Sequence, residues 1–481
     1  MKQFWKASLC GAMSLALLGL TGCGDTTTDS TPPASETVNL VLWHYYNGNT
    51  KDSFDVLVSE FNNTVGAEKN IVVEANSYGS VSDLSSAVVS SANKEVGMPD
   101  MPHIFAAYSD TALLVDDMGL VASMDDYFSA EELALFQQDF LNEGRFDSSG
   151  ELKIIPVAKS TEIILINHTD FEVFAEATGV SLDQLETWEG IAEVAKEYYE
   201  WTDGMTPDVE HDGKAFFGVD SEANFLLLAA KQLGEELYLY DGDEVSFGLS
   251  ESAAKTIWDG VIVPYIHGYY ASYGSYRSDD VKSGDLLAYA GSTSSVFYFP
   301  SVIETGREAS KEIDGVAMAY PYFEEGEKVA VQQGAGMVVA KSDPTHEAAA
   351  AEFLKWFTSV ENNLAFAVST GYIPVQNEAL TLDGVFAEMG TDFTKIVESC
   401  VVVTYEELIP EYEFYANKPF EGSYETRNAI SDTILGSRAE YQEALAASEN
   451  RAETIEQLIG EESFQAWYAR LDSSISEILE G

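Results

Sequence analysis

Basic residues are scarce in this chain. Only 25 Lys and Arg stand against 81 Asp and Glu in 481 residues, giving a formal charge of −56. A surface of that sign repels phosphate backbones and anionic headgroups, which argues against nucleic acid as a partner. The acids are spread along the chain and not gathered into a tail, so they read as a solvated exterior. Histidine is also sparse, at six residues, and none sits at metal-ligand spacing from another. There is no His-Glu-x-x-His, no Gly-x-Ser-x-Gly and no paired Cys-x-x-Cys, so the common hydrolase and redox signatures are missing. Carboxylate pairs such as Asp116-Asp117 mean little among so many acids, and a glycoside hydrolase stays only as an alternative of another class. No apolar run is long enough to span a bilayer, and no repeat of fixed period is present.

Three cysteines occur, and each has an account. Residues 9–20 form an apolar segment behind Lys2 and Lys6, of signal-peptide length. Leu20, Thr21, Gly22 and Cys23 follow it and look like a bacterial lipobox, in which the cysteine takes lipid and becomes the mature N-terminus. Cys10 leaves with the leader, and Cys400 opens the run "CVVV", where a small buried hydrophobe is expected. Removing residues 1–22 takes away two lysines and no acid, moving the charge from −56 to −58. Residues 23–37, rich in Thr, Ser, Asp and Pro, read as a disordered tether. The expected location is extracytoplasmic, held to the membrane by the lipid alone.

From Val38 the pattern alternates strands and helices. "VNLVLW", "NIVVEA" and "HIFAAY" read as strands; residues 54–61 and 81–96 read as helices between them. This βαβαβ order predicts a doubly wound α/β sheet whose strand ends share one ligand-binding edge. A second, similar set follows Pro156, with strands "TEIILIN", "KAFFGVD", "DLLAYAG" and "DGVAMAYPYF". "KVAVQQGAGMVVAKS" reads as two strands around a Gly-Ala-Gly bend. Asp343 and Pro344 should open a helix, Gly371 should close one, and the last hundred residues should be mainly helical. "DVEHDGKAFFGV" nearly matches a calcium loop through Asp208, Glu210, Asp212 and Gly213. Its twelfth place holds Val219 where a Glu is needed, so it reads as a solvated loop. No metal or cofactor is expected.

The predicted rims carry aromatic and hydroxyl groups: Trp43, His44, Tyr45, Tyr46, Tyr108, Ser160, Thr161, Asn224, Ser292, Thr293, Ser295, Phe297, Tyr298 and Tyr372. Aromatic faces stack on the C–H faces of sugars, and hydroxyls and amides bond ring oxygens. Trp188 and Trp356 fall inside helical patterns and read as core. The rim set points to binding and not to turnover.

The lipobox, "LWHYYNG", "PVAKSTEIILINHTDF", "TWEGIAEVAKEYYE", "GAGMVVAKSDPTHEAAAAEFLKWFTS" and "STGYIPV", in that order, resemble the family 1 extracellular solute-binding proteins of ABC importers. The resemblance implies two α/β lobes joined by a multi-strand hinge, the type II periplasmic-binding-protein arrangement, with ligand captured by closure. It implies lobe 1 at residues 38–156 and 321–372, and lobe 2 at residues 157–320 and 373–481. The crossings would lie near Pro156, Tyr320-Pro321 and Tyr372. The partners implied are a sugar or polyol phosphate and the permease subunits of an importer, for a protein acting as a monomer. By motif, Ser160, a hydroxyl among residues 292–295, Gly334 and Tyr372 match ligand residues of the family's glycerol-phosphate binder, and Arg427 matches its late arginine. That binder's first-lobe tyrosine and glutamate are replaced by Ser80 and Ser109. The substitution weakens the case for the same ligand, and a rim with only two cationic candidates, Lys159 and Arg427, among many aromatics and hydroxyls favours a neutral sugar.

Overall fold

The structure, a computed structural model, describes residues 37–480 apart from 148, 243, 305–309 and 392. The leader, the Cys23 lipidation position and residues 24–36 of the tether lie outside the described residues. No helix among the described residues is long and apolar enough to cross a membrane.

The apolar runs form the strands expected of them. β1 (Val38–His44) pairs in parallel with β2 (Ile71–Ser77) and with β3 (Ile104–Ala107). Helices Gly48–Asn63 and Val81–Ala92 make the crossovers, and Phe54, Leu57, Val58 and Phe61 bury the face that their spacing predicts. The second helix is shorter than its pattern, because Lys94 takes a left-handed φ of 56° just past its end.

Strands β4 (Ile154–Ile155), β5 (Glu162–Asn167), β6 (Ala288–Ser292), β7 (Gly315–Met318), β8 (Val329–Val331), β9 (Gly336–Val339) and β10 (Glu413–Tyr415) follow in chain order. The first sheet runs β2-β1-β3-β9-β4, with β9 antiparallel to both neighbours. A late segment of the chain is thus inserted beside β3. The second sheet runs β7-β5-β6, and its central strand β5 is antiparallel to both. The front of β5 therefore lies beside the tail of β6, with Glu162 opposite Ser292. The second set is not a copy of the first in strand direction. The expected strand at residues 214–220 makes only two parallel bridges, Phe217 to Tyr270 and Val219 to Ala290. At Gly218 the Ala271 carbonyl comes within 2.4 Å of where a Cβ would sit, so the backbones press together there.

Helix signals in the second half also hold. The Asp343 side chain accepts from the Thr345 and His346 N–H groups ahead of helix Pro344–Phe357, and Gly371 caps Val360–Thr370 at φ 75°. Trp188 is fully buried at the start of helix Trp188–Asp203, and Cys400 is buried in helix Lys395–Val403. Helices Ser423–Ala446 and Glu461–Leu479 complete the largely helical end of the chain.

Between the two sheets the chain crosses repeatedly. Lys159 bridges Ile373 and Ser160 bridges Gln333, both antiparallel, while β8 pairs in parallel with β10. Tyr320 and Phe323 still pack against Trp188, at 5.8 and 6.3 Å between ring centroids. Further along the same stretch, Gln333 makes the bridge to Ser160.

Candidate ligand-binding cleft

The tail of β1, the tail of β3 and the end of helix Val360–Thr370 bring tyrosines together. Tyr45 and Tyr46 hold their rings 4.9 Å apart, and Tyr372 stacks on Phe366 at 6.1 Å and 14°. Burial, and then the neighbouring Tyr372 and Tyr108 hydroxyls, push the Tyr45 hydroxyl well above its ordinary value; burial also raises Tyr108 and Tyr372. These phenols stay protonated and can donate. Tyr46 is only 2% exposed and packs among His44, Phe54 and Phe366. Trp43 is likewise core, 4% exposed, with its ring 4.9 Å from that of Tyr78. His44 is fully buried; its Nδ1 accepts from the Tyr46 N–H at 3.1 Å, and burial pulls it down to about 4.

The hinge supplies the floor. The Tyr108 hydroxyl accepts from the Gly334 N–H at 3.3 Å. Gly334 has φ 96°, and a Cβ there would sit 2.4 Å from the Ala158 carbonyl oxygen, so glycine is required. The Gly334 carbonyl in turn accepts from Lys159 Nζ at 3.0 Å, and Lys159 is ion-paired with Glu143. Gln332 Nε2 donates to the same Glu143 carboxylate at 2.6 Å. Ser160 is buried in the adjacent ladder.

The second sheet presents a polar pole. Glu162 Oε1 accepts from Asn224 Nδ2 at 2.6 Å and from Gln333 Nε2 at 3.1 Å. Arg427 Nη2 donates to Asn224 Oδ1. Burial pushes the Glu162 carboxyl up to about 7, against the Asn224 hydrogen bond. Asp220, beside it, is also raised by burial. Ser292 and Ser295 spend their hydroxyls locally: Ser292 caps the turn Thr293–Tyr298, and Ser295 donates to the Ser292 carbonyl at 2.6 Å. Thr293 and Thr161 are buried with unpartnered hydroxyls. Phe297 and Tyr298 stand exposed, at 46% and 65%.

Ser80 and Ser109 have different surroundings. Ser80 caps helix Val81–Ala92 and bonds Asp83, so its hydroxyl has a structural task. Ser109 begins helix Ser109–Asp117 and lines a polar cavity of about 460 Å³ with Asn142, Glu143, Gln332, Tyr415 and Asn417. That volume is of ligand size. The sequence reading missed Glu162, Gln333 and the Glu143–Gln332 pair. An acid at the front of the otherwise apolar strand "EIILIN" was the available signal for Glu162.

Residues 57–390 match the family described as bacterial extracellular solute-binding protein. The chain belongs to that family. No curated protein matches the sequence. Among solved structures, the cyclic alpha-maltosyl-1,6-maltose binding protein of Arthrobacter globiformis is similar at TM-score 0.62 and 17% identity, over 92% of this chain and 99% of that one. The maltose/maltodextrin-binding domain of Bdellovibrio bacteriovorus, bound to maltotriose, gives 0.61 and 16%, over 92% and 100%. UgpB of Mycobacterium tuberculosis, in complex with glycerophosphocholine, gives 0.59 and 15%, over 91% and 100%. At such identities the likeness establishes the two-lobe α/β solute-binding fold. The described residues contain no group of side chains fit to hold a metal ion, and residues 208–211 form exposed turns and bends.

Proposed function

We propose that this solute-binding protein is anchored to the membrane by lipid on Cys23, traps a neutral carbohydrate-type ligand between its lobes, and delivers it to the permease subunits of an ABC importer. One observation carries the ligand class: Lys159 and Arg427, the two cations that the sequence places at the rim, are both engaged. Lys159 is held by Glu143 and the Gly334 carbonyl, and Arg427 is held by Asn224 with the Glu162 charge beside it. A phosphate ester brings about two negative charges near neutral pH and needs free donors of positive charge. A sugar needs aromatic faces and a mixture of acceptors and donors, which Tyr45, Tyr372, Glu162 and Asn224 supply. The lobes of this reading are residues 38–156 with 321–372, and 157–320 with 373–481. The protein acts without a cofactor, as a monomer, and without turnover.

A glycerol-3-phosphate or glycerophosphodiester receptor is the second reading. It is favoured by Arg427, which keeps N–H groups beyond the one given to Asn224, and by the fold of the glycerophosphocholine-binding neighbour. Native mass spectrometry of freshly purified protein, followed by a thermal-shift panel of maltose, maltotriose and glycerol-3-phosphate, separates the readings. Stabilisation by the sugars alone is expected. Stabilisation by glycerol-3-phosphate alone would replace the first reading with the second.

A further inference from the structure

We propose that Glu162 is the residue that selects an uncharged polyhydroxyl ligand: its second carboxylate oxygen accepts a ligand hydroxyl, and its charge turns phosphate esters away. The assignment rests on the sugar-type reading above. Glu162 is 3% exposed, at the front of β5 where the strand meets the cleft rim. Its Oε1 takes both the Asn224 and the Gln333 amide, while Oε2 has no hydrogen-bond partner among the described residues. An ionised carboxylate offers about four acceptor sites, and Oε2 is not among the atoms sealed from solvent, so it stays open to a donor from a ligand. A hydroxyl of the ligand fills that place, and a phosphate oxygen, itself only an acceptor when ionised, does not.

The surrounding charges agree. Asp220 faces Glu162 from the turn after residues 214–219, Arg427 from helix Ser423–Ala446, and Tyr320 from the stretch beyond β7. Arg277, on the far side of Asp220, is shared between Asp220 and Asp280. Glu162, Asp220 and Arg427 leave a net negative pole, which repels an anion in this low-dielectric place. Hydroxyl donation favours the ionised carboxylate, so a neutral ligand binds with proton release and tightens as pH rises. An anionic ligand favours the protonated acid and would weaken over the same range.

The test is calorimetry on the mature chain with maltotriose and with glycerol-3-phosphate at pH 6, 7 and 8, for the native protein and for Glu162→Gln. The expected result is maltotriose binding that tightens several-fold from pH 6 to pH 8. In Glu162→Gln the pH profile is flat and affinity at pH 8 falls by about tenfold. The native profile reads the carboxyl even if the variant folds poorly. Maltotriose binding indifferent to both pH and the substitution would overturn this assignment and leave the sugar reading standing. Glycerol-3-phosphate bound more tightly than maltotriose, or no heat from either, would overturn both.

Discussion

The Lys159 ammonium and the Glu143 carboxylate meet inside the hinge, their side chains 2% and 9% exposed. Lys159 belongs to the crossing that bridges Ile373, and Glu143 follows the short helix Gln138–Asn142. Gln332, on the second crossing, donates to the same carboxylate. One buried charge pair thus ties two crossing segments to the helix Gln138–Asn142.

Breaking it from one side is expected to be expensive. Lys159→Met leaves Glu143 buried with only the Gln332 amide, and such a loss costs about 3–5 kcal/mol. Lys159→Met combined with Glu143→Leu should recover most of that, because both charges leave together. Urea unfolding of the two variants checks this. A single variant within about 1 kcal/mol of the native protein would mean that water reaches the pair.

Gly334→Ala is expected to lose both stability and ligand affinity. The positive φ alone costs about 1–2 kcal/mol for a residue with a Cβ. The Ala158 carbonyl, 2.4 Å from that Cβ, forces the crossing strands apart and moves the N–H that Tyr108 accepts. Circular dichroism melts and maltotriose titration read the two effects separately. An unshifted melting temperature would show that the hinge relaxes around the methyl.

The order of elements was legible because apolar runs, caps and glycine stops are local signals. Phe54, Leu57, Val58 and Phe61, the Asp343-Pro344 start and the Gly371 stop all work through neighbours a few residues away. Strand direction was not legible. Nothing within "TEIILIN" says that it will run against "DLLAYAG", since that depends on which edge the chain enters after the hinge. The rim residues divide in the same way. Trp43, His44, Tyr45 and Tyr46 are consecutive, but Trp43 and His44 end a strand that is buried on both faces, and beyond it Tyr46 turns into the core while Tyr45 stays half-buried, which no local period announces. Glu162 was overlooked because its partners Asn224, Gln333 and Arg427 come from distant segments that only the fold assembles.

Tyr372→Ala is expected to reduce sugar affinity by about tenfold or more, since it removes a stacking face together with a phenol donor. Arg427→Ala should cost less, because its hydrogen bond goes to Asn224. Sugar affinity should change little between low and moderate salt, as no ligand charge is present to be screened. Calorimetry at two ionic strengths tests all three points. A larger loss for Arg427→Ala, with strong salt dependence, would favour the phosphate-bearing ligand.

The anchor is independent of all these contacts. Cys23→Ala is expected to abolish incorporation of labelled fatty acid and to move the protein from the membrane to the soluble fraction. Maltotriose affinity should stay unchanged. Equal membrane retention of the variant would contradict the lipobox reading while leaving the ligand cleft untouched.

Glu162→Gln has a second consequence, on stability and with the opposite sign to its effect on binding. Burial raises the carboxyl from 4.5 to about 7 in the folded chain. Below pH 4.5 both the folded and the unfolded chain carry the proton, so the group contributes no pH dependence there. Between pH 4.5 and 7 the unfolded chain releases its proton and the folded chain keeps it, so native stability falls as pH rises. Above pH 7 the penalty is complete, on the order of 3 kcal/mol for a shift of that size. A neutral glutamine removes it while keeping shape and one acceptor. The variant should therefore match the native protein near pH 4.5 and exceed it in urea unfolding at pH 8, even as its hold on maltotriose weakens. A native-minus-variant difference that stays constant from pH 5 to pH 8 would show that Glu162 is ionised throughout, with its charge met by Arg427 and the two amides.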